Sequence, residues 1–126
     1  MRIEVSIGEI VDKLTILDIK MSRIFSPEKL KNIVKEFSYL KDVVELELKI
    51  STESNDYLQL LNVNKELWDI EDKIRDKERN DSFDNEFIEL ARLVYITNDK
   101  RADLKKEINL KYGSTFVEEK SYSSYN

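Results

Sequence analysis

The sequence predicts an all-α protein, an antiparallel bundle of about four long helices, and three observations carry that expectation. Glycine and proline number only two and one, so the punctuation that strands and tight turns need is nearly absent. Charged residues reach 37%, well above the roughly 25% of an average domain, as long helices with a solvated outer face require. Apolar residues recur at the 4,3 spacing of a helical seam.

Each helix has its own start and stop signals. Ser6 opens a capping box with Glu9, and the stripe Ile10, Leu14, Leu17, Met21, Ile24 follows, so helix one is expected over 6–25. Ser26 and Pro27 supply an N-cap and a first-turn proline for helix two, 27–50, with Leu30, Ile33, Phe37, Leu40 and Val44 as its stripe. STESND (51–56) is a polar connector to helix three, 56–78. RNDSF (79–83) is a second connector, and Ser82 or Asp84 caps helix four, 84–112, which ends at a glycine placed as a C-terminal cap, Gly113. The segment STFVEEKSYSSYN has no helical period. An ordered extension is expected through Phe116 and Val117, with fraying beyond. Residues 1–112 thus form one helical-bundle domain and 113–126 a non-helical C-terminal extension.

Composition narrows the chemistry. Leu, Ile, Val and Phe make up 40 of 126 residues, enough for a real core. Cysteine and histidine are both absent. That excludes disulfides, thiolate nucleophiles, Ser-His-Asp triads and Cys- or His-ligated metals. The net charge of −5 argues against bulk nucleic-acid binding, which needs a basic footprint. No apolar stretch suits a signal peptide or a membrane span, so the expected location is the cytoplasm.

The apolar stripes of helices three and four are interrupted. On helix three the 4,3 series reads Leu60, Asn64, Leu67, Glu71, Ile74, Glu78. On helix four it reads Phe87, Ala91, Val94, Asn98, Arg101, Lys105, Ile108, Tyr112. A buried charge costs several kcal/mol unless it is paired, so these positions need partners or a wet cleft. Antiparallel register about residue 81 sets Glu71 near Arg92, Asn64 near Asn98 and Trp68 near Tyr95. An up-down-up-down order brings Glu9, Asp12 and Lys13 toward Asn98, Arg101 and Lys105. Arg75 and Asp99 flank the same seam. Together these residues are the candidate ligand-binding set. The competing reading is a set of structural ion pairs with a register-fixing asparagine pair.

The residue types favour an anion over a metal. Helical metal sites want carboxylates three or four apart on one face, whereas Glu71 and Glu78 are seven apart with Arg75 between them. Asp69 and Asp72 have the spacing but are surrounded by Lys65, Lys73 and Arg75. Hence no metal and no cofactor is expected. The paired acidic motifs of all-helical nucleotide pyrophosphohydrolases have no clean counterpart here. Arg101 and Lys105 lie i,i+4 with Asn98 one turn earlier, and two cations with an amide suit a carboxylate or phosphate. All-helical chorismate mutases hold a dianion with similar residue types, without a motif in common. Gly8 either lets a ligand approach the first-turn amides of helix one or is merely tolerated there.

Four segments, SIGEIVDKLTILDIK (6–20), NKELWDIEDKIRDKE (64–78), FIELARLVYITNDKRADLKKEIN (87–109) and GSTFVEEKSY (113–122), resemble a family of short proteins built on a domain of unknown function. Members occur in bacteria and their phages, alone or joined to larger, partly glycosyltransferase-like proteins. The resemblance implies a domain type and no mechanism. The family's recurring polar positions match Glu9, Asp12, Lys13, Asn64, Trp68, Glu71, Asp72, Arg75, Arg92, Tyr95, Asn98, Asp99 and Arg101. The expected function is an accessory domain that binds an anionic small molecule or partner segment. One alternative is a small enzyme with Glu71 or Asp12 as acid–base group and Arg101 and Lys105 as an anion clamp. The other is a structural homo-oligomer, such as a homodimer.

Overall fold

A computed structural model describes residues 1–125. Four helices account for most of them: α1 (Ile7–Arg23), α2 (Pro27–Asp42), α3 (Asn55–Arg79) and α4 (Asn85–Lys111). The caps are the ones the sequence supplies. Ser6, Ser26, Ser54 and Asp84 each accept a backbone N–H from three residues on, so each helix begins with one otherwise orphaned donor satisfied. Gly113 takes a φ of 68° past the end of α4, and the Ser114 N–H returns to the Asn109 carbonyl at 2.8 Å.

Helix two is shorter than the periodicity suggests. The α-helix stops at Asp42, a π-helical turn occupies Val43–Glu47, and Lys49 turns left-handed at φ 58°. The reason is packing. Leu30, Ile33, Phe37 and Leu40 are only half-buried, because α2 leans on α1 and has no substantial contact with α3 or α4. The wider turn and left-handed exit then let both Val44 and Ile50 enter the core, with the Ile50 N–H bonded to the Val44 carbonyl at 3.0 Å. Helix one also ends early, at Arg23, because the residue before Pro27 must be extended to start the next helix.

α3 and α4 form an antiparallel hairpin, tied at one end by Asp56 to Lys111 and Tyr112 and at the other by Lys77 to Asp84 and Glu86. α1 packs on α2, α3 and α4. The core gathers Val11, Leu14, Ile19, Val44, Ile50, Tyr57, Leu60 and Ile108. No helix among the described residues is long and apolar enough to cross a membrane.

Candidate functional site

The first turn of α1 is welded to the last turns of α4. Gly8 N–H donates to Asn109 Oδ1 at 2.6 Å, and Ile7 N–H donates to Ser114 Oγ at 3.0 Å. The Glu9 N–H goes to Ser6. All three amides are used, so the first turn of α1 is not an open anion site. Gly8 is needed for a different reason: a Cβ there would stand 2.5 Å from the Lys105 carbonyl oxygen. The α4 backbone passes where a side chain would be.

One turn further along α1, Asp12 is 1% exposed. Arg101 grips it with both arms, Nε donating to Oδ1 at 2.9 Å and Nη2 to Oδ2. Asn64 Nδ2 donates to the same Oδ1 at 2.9 Å and to Thr15 Oγ1 at 2.7 Å, and the Thr15 hydroxyl closes the ring on the Asp12 carbonyl. Three helices therefore meet on one carboxylate. The forked pairing is the strong form of a charge-assisted hydrogen bond. The hydrogen bond that Arg101 donates to Asp12 raises the Arg101 pKa above its ordinary value, against the opposing effect of burial. Beside this ring, Lys105 reaches Glu9 at 2.8 Å and Glu118 at 3.5 Å.

Two cavities flank Arg101. The larger, about 1010 Å³, is an open groove between α4 and the C-terminal segment, lined by Tyr95, Asn98, Asp99, Arg101, Lys105, Lys120 and Tyr125 among others. The segment runs along α4 as a strap instead of fraying after Val117. Glu119 pairs with Lys106 at 3.0 Å and Lys120 with Asp99 at 3.5 Å. The Tyr125 hydroxyl donates to Asp99 at 2.6 Å, and its ring meets Tyr95 edge-on at 5.2 Å. The hydrogen bond to Asp99 pushes the Tyr125 phenol up to about 12. Asn126 lies outside the described residues. The smaller cavity, about 220 Å³, sits between α1 and α3 and includes Ile16, Ile19, Asn64, Trp68, Glu71, Asp72, Arg75 and Arg101.

This arrangement can be set beside known proteins. Residues 1–125 match a family of unknown function (DUF6165). The chain belongs to that family. No curated protein and no solved structure matches it. The DUF6165 match takes in the four helices and the strap together, so the groove between them falls within the family's domain.

The DUF6165 fold divides the candidate residues among different surroundings. Asp12, Asn64 and Arg101 form the buried ring, and Glu9 and Lys105 its outer edge. Tyr95, Asn98, Asp99, Arg101 and Lys105 line the groove; Asn64, Trp68, Glu71, Arg75 and Arg101 line the small cavity. Two candidates lie elsewhere. Lys13 turns to Glu36 on α2 at 3.5 Å, and exposed Arg92 pairs with Glu89 at 3.6 Å. Glu71 pairs with Arg75 within its own helix at 3.6 Å and not with Arg92, while Trp68 has Arg23 over its ring at 6.0 Å. Asn64 meets Asp12 and Thr15 instead of Asn98, because α1 lies against the α3–α4 seam that register counting had left to two helices. Thr15, Asn109 and Ser114 escaped sequence reasoning. Their one signal was Gly8, whose missing side chain marks a close approach. Among the described residues, no group of three or more acidic side chains is placed to hold a metal ion.

Proposed function

We propose that the chain is an accessory binding module whose α4–strap groove takes an anionic small molecule, residues 1–112 acting as one helical domain and 113–126 as its C-terminal extension. One observation carries this reading. Asn98, Arg101 and Lys105, one turn apart on α4, line a solvent-open groove whose other wall is a polar strap. Lys105 already carries a carboxylate there, Glu118 at 3.5 Å. An incoming phosphate or carboxylate would replace that partner, exchanging one anion for another and leaving the fold intact. The buried ring of Asp12, Asn64, Thr15 and Arg101 is the scaffold: it holds Arg101 at the groove floor while its own hydrogen bonds are met.

The test is a thermal-shift screen of phosphorylated sugars, nucleotides and dicarboxylates, followed by titration of any hit. Arg101→Ala is a poor probe, because it strands the buried Asp12 carboxylate. Lys105→Gln and Lys120→Gln are better. A hit should bind the parent and weaken about tenfold in Lys105→Gln, the loss expected for one charge-assisted hydrogen bond. A parent protein that no anion stabilises, or a Lys105→Gln variant that binds as the parent does, defeats the reading.

A further inference from the structure

The small cavity between α1 and α3 has chemistry opposite to that of the groove. Its cations are already spent: Arg75 lies 3.6 Å from Glu71, and Arg101 is forked onto Asp12. Asp72, on the cavity rim, makes no ion pair among the described residues. With Arg75 matched to Glu71 and Arg101 to the buried Asp12, which lies behind the lining, Asp72 is the lining carboxylate left without a cation among the described residues. The opposite end of the cavity offers a neutral acceptor. Asn64 is 5% exposed and gives its amide hydrogens to Asp12 and Thr15, while its carbonyl oxygen accepts no hydrogen bond among the described residues. Among the described residues no buried side-chain nitrogen or oxygen is left without a partner, so this oxygen reaches open space, and the cavity is the space beside Asn64. Between the two ends lie Ile16, Ile19, Leu67 and the Trp68 indole.

We propose that this cavity binds a short aliphatic amine carrying a second hydrogen-bond donor, such as a diamine or an amino alcohol. The ammonium sits at Asp72 and Glu71, with three donors for carboxylate oxygens that have room for them. The alkyl stem lies on the isoleucines and against the apolar edge of the indole, whose face Arg23 already covers. The far hydroxyl or amine donates to the Asn64 carbonyl. Asn64 and Glu71 are two helical turns apart, roughly 10 Å along the axis before their side chains lean together, and a four-carbon chain suits that span. An anion gains nothing here, so the site is independent of the groove.

Trp68 is the sole tryptophan of the chain and reports the cavity directly. The parent protein is titrated with 1,4-diaminobutane at constant ionic strength while Trp68 fluorescence is followed. A saturable change is expected, with a Kd on the order of 1 mM. Butylamine, lacking the second donor, should bind several-fold more weakly, and 1,4-butanediol, lacking charge, should leave Trp68 unchanged. Asp72→Asn breaks no ion pair among the described residues and should melt as the parent does while weakening diaminobutane at least fivefold. Lys105→Gln should titrate as the parent does, which separates this site from the anion groove. No saturable change in the parent, equal response to butanediol, or an Asp72→Asn titration matching the parent overturns the proposal.

Discussion

Beyond its hairpin with α3, α4 is gripped by α1 and by the strap, and these two grips differ in kind. The α1 contact is buried and directional. Two α1 amides end on α4-side oxygens, a glycine admits the α4 backbone, and a fully buried carboxylate takes three donors. The strap contact is mainly ion pairs between exposed chains, joined by the Tyr125 hydroxyl on Asp99 and its ring on Tyr95, with Tyr122 and half of Tyr125 left in solvent. Both read alike in the sequence, as Glu, Asp, Lys and Arg within reach of α4. Desolvation separates them. A buried pair cannot be broken cheaply, whereas an exposed pair has water waiting for both partners.

The largest effect should therefore come from Asp12→Ala. Removing one partner of a buried pair costs about 3–5 kcal/mol, and the lower end applies because the Arg101 side chain keeps 26% of its surface in solvent. Urea unfolding of this variant beside Lys120→Ala measures the contrast, since Lys120→Ala should cost less than about 0.5 kcal/mol. Equal midpoints for the two would erase the distinction between scaffold and strap.

Gly8→Ala comes next. The added methyl meets backbone at Lys105, which cannot rotate away, so α1 must shift against α4 at about 1–3 kcal/mol. Asn109→Ala strands the Gly8 N–H for a comparable loss, about 1–3 kcal/mol. Ser114→Ala sharpens the point: its Ile7 bond is only part-buried, so water can take over and the loss should be smaller. A Ser114→Ala variant as damaged as Asn109→Ala would mean that burial is not what ranks these contacts.

The same contrast explains what the sequence could and could not disclose. Seam spacing located four helices, and it flagged Asn64, Arg101 and Lys105 as polar residues turned inward, because a period of 3.6 reports which side of a helix a residue is on. It also brought Glu9, Asp12 and Lys13 as a group toward Asn98, Arg101 and Lys105, since that approach follows helix order alone, without saying that Glu9 would take Lys105 and Asp12 would take Arg101. It could not report the angle at which α1 lies on the α3–α4 hairpin, and so it paired Asn64 with Asn98. Nor could it see that Lys13, one residue from Asp12, is swung by 100° of helix turn toward α2. The strap was invisible for a further reason. Its contacts are irregular in spacing, and no period predicts a salt bridge between Glu119 and Lys106.

Truncation after Val117 tests the weaker grip as a whole. Stability should fall by less than about 1 kcal/mol, because exposed ion pairs contribute little each. In the full-length chain, raising salt to about 1 M shrinks the screening length to roughly 3 Å, so the backbone resonances of 118–125 should move toward random-coil shifts while those of α1 do not. Strap resonances indifferent to salt would show that something other than charge holds it.

A comparably small effect, and a pH-dependent one, lies between the two regimes, at Asp56. Its side chain is 20% exposed and receives Lys111 at 2.7 Å and the Tyr112 hydroxyl at 2.8 Å. The Lys111 hydrogen bond, helped by Tyr112, holds its pKa below the ordinary 3.8 despite partial burial. A depressed carboxylate stabilises the fold above its unfolded value and loses that contribution as pH falls through the folded one. Asp56→Asn should therefore be less stable than the parent near neutrality, by under about 1 kcal/mol, and the gap should close as the pH drops below 3.8. Urea midpoints at neutral and acidic pH measure it. A gap that survives at low pH would assign the contact to hydrogen-bond geometry and not to charge. Asp56 would then belong with Asp12 among the buried fastenings, although a fifth of its side chain is wet.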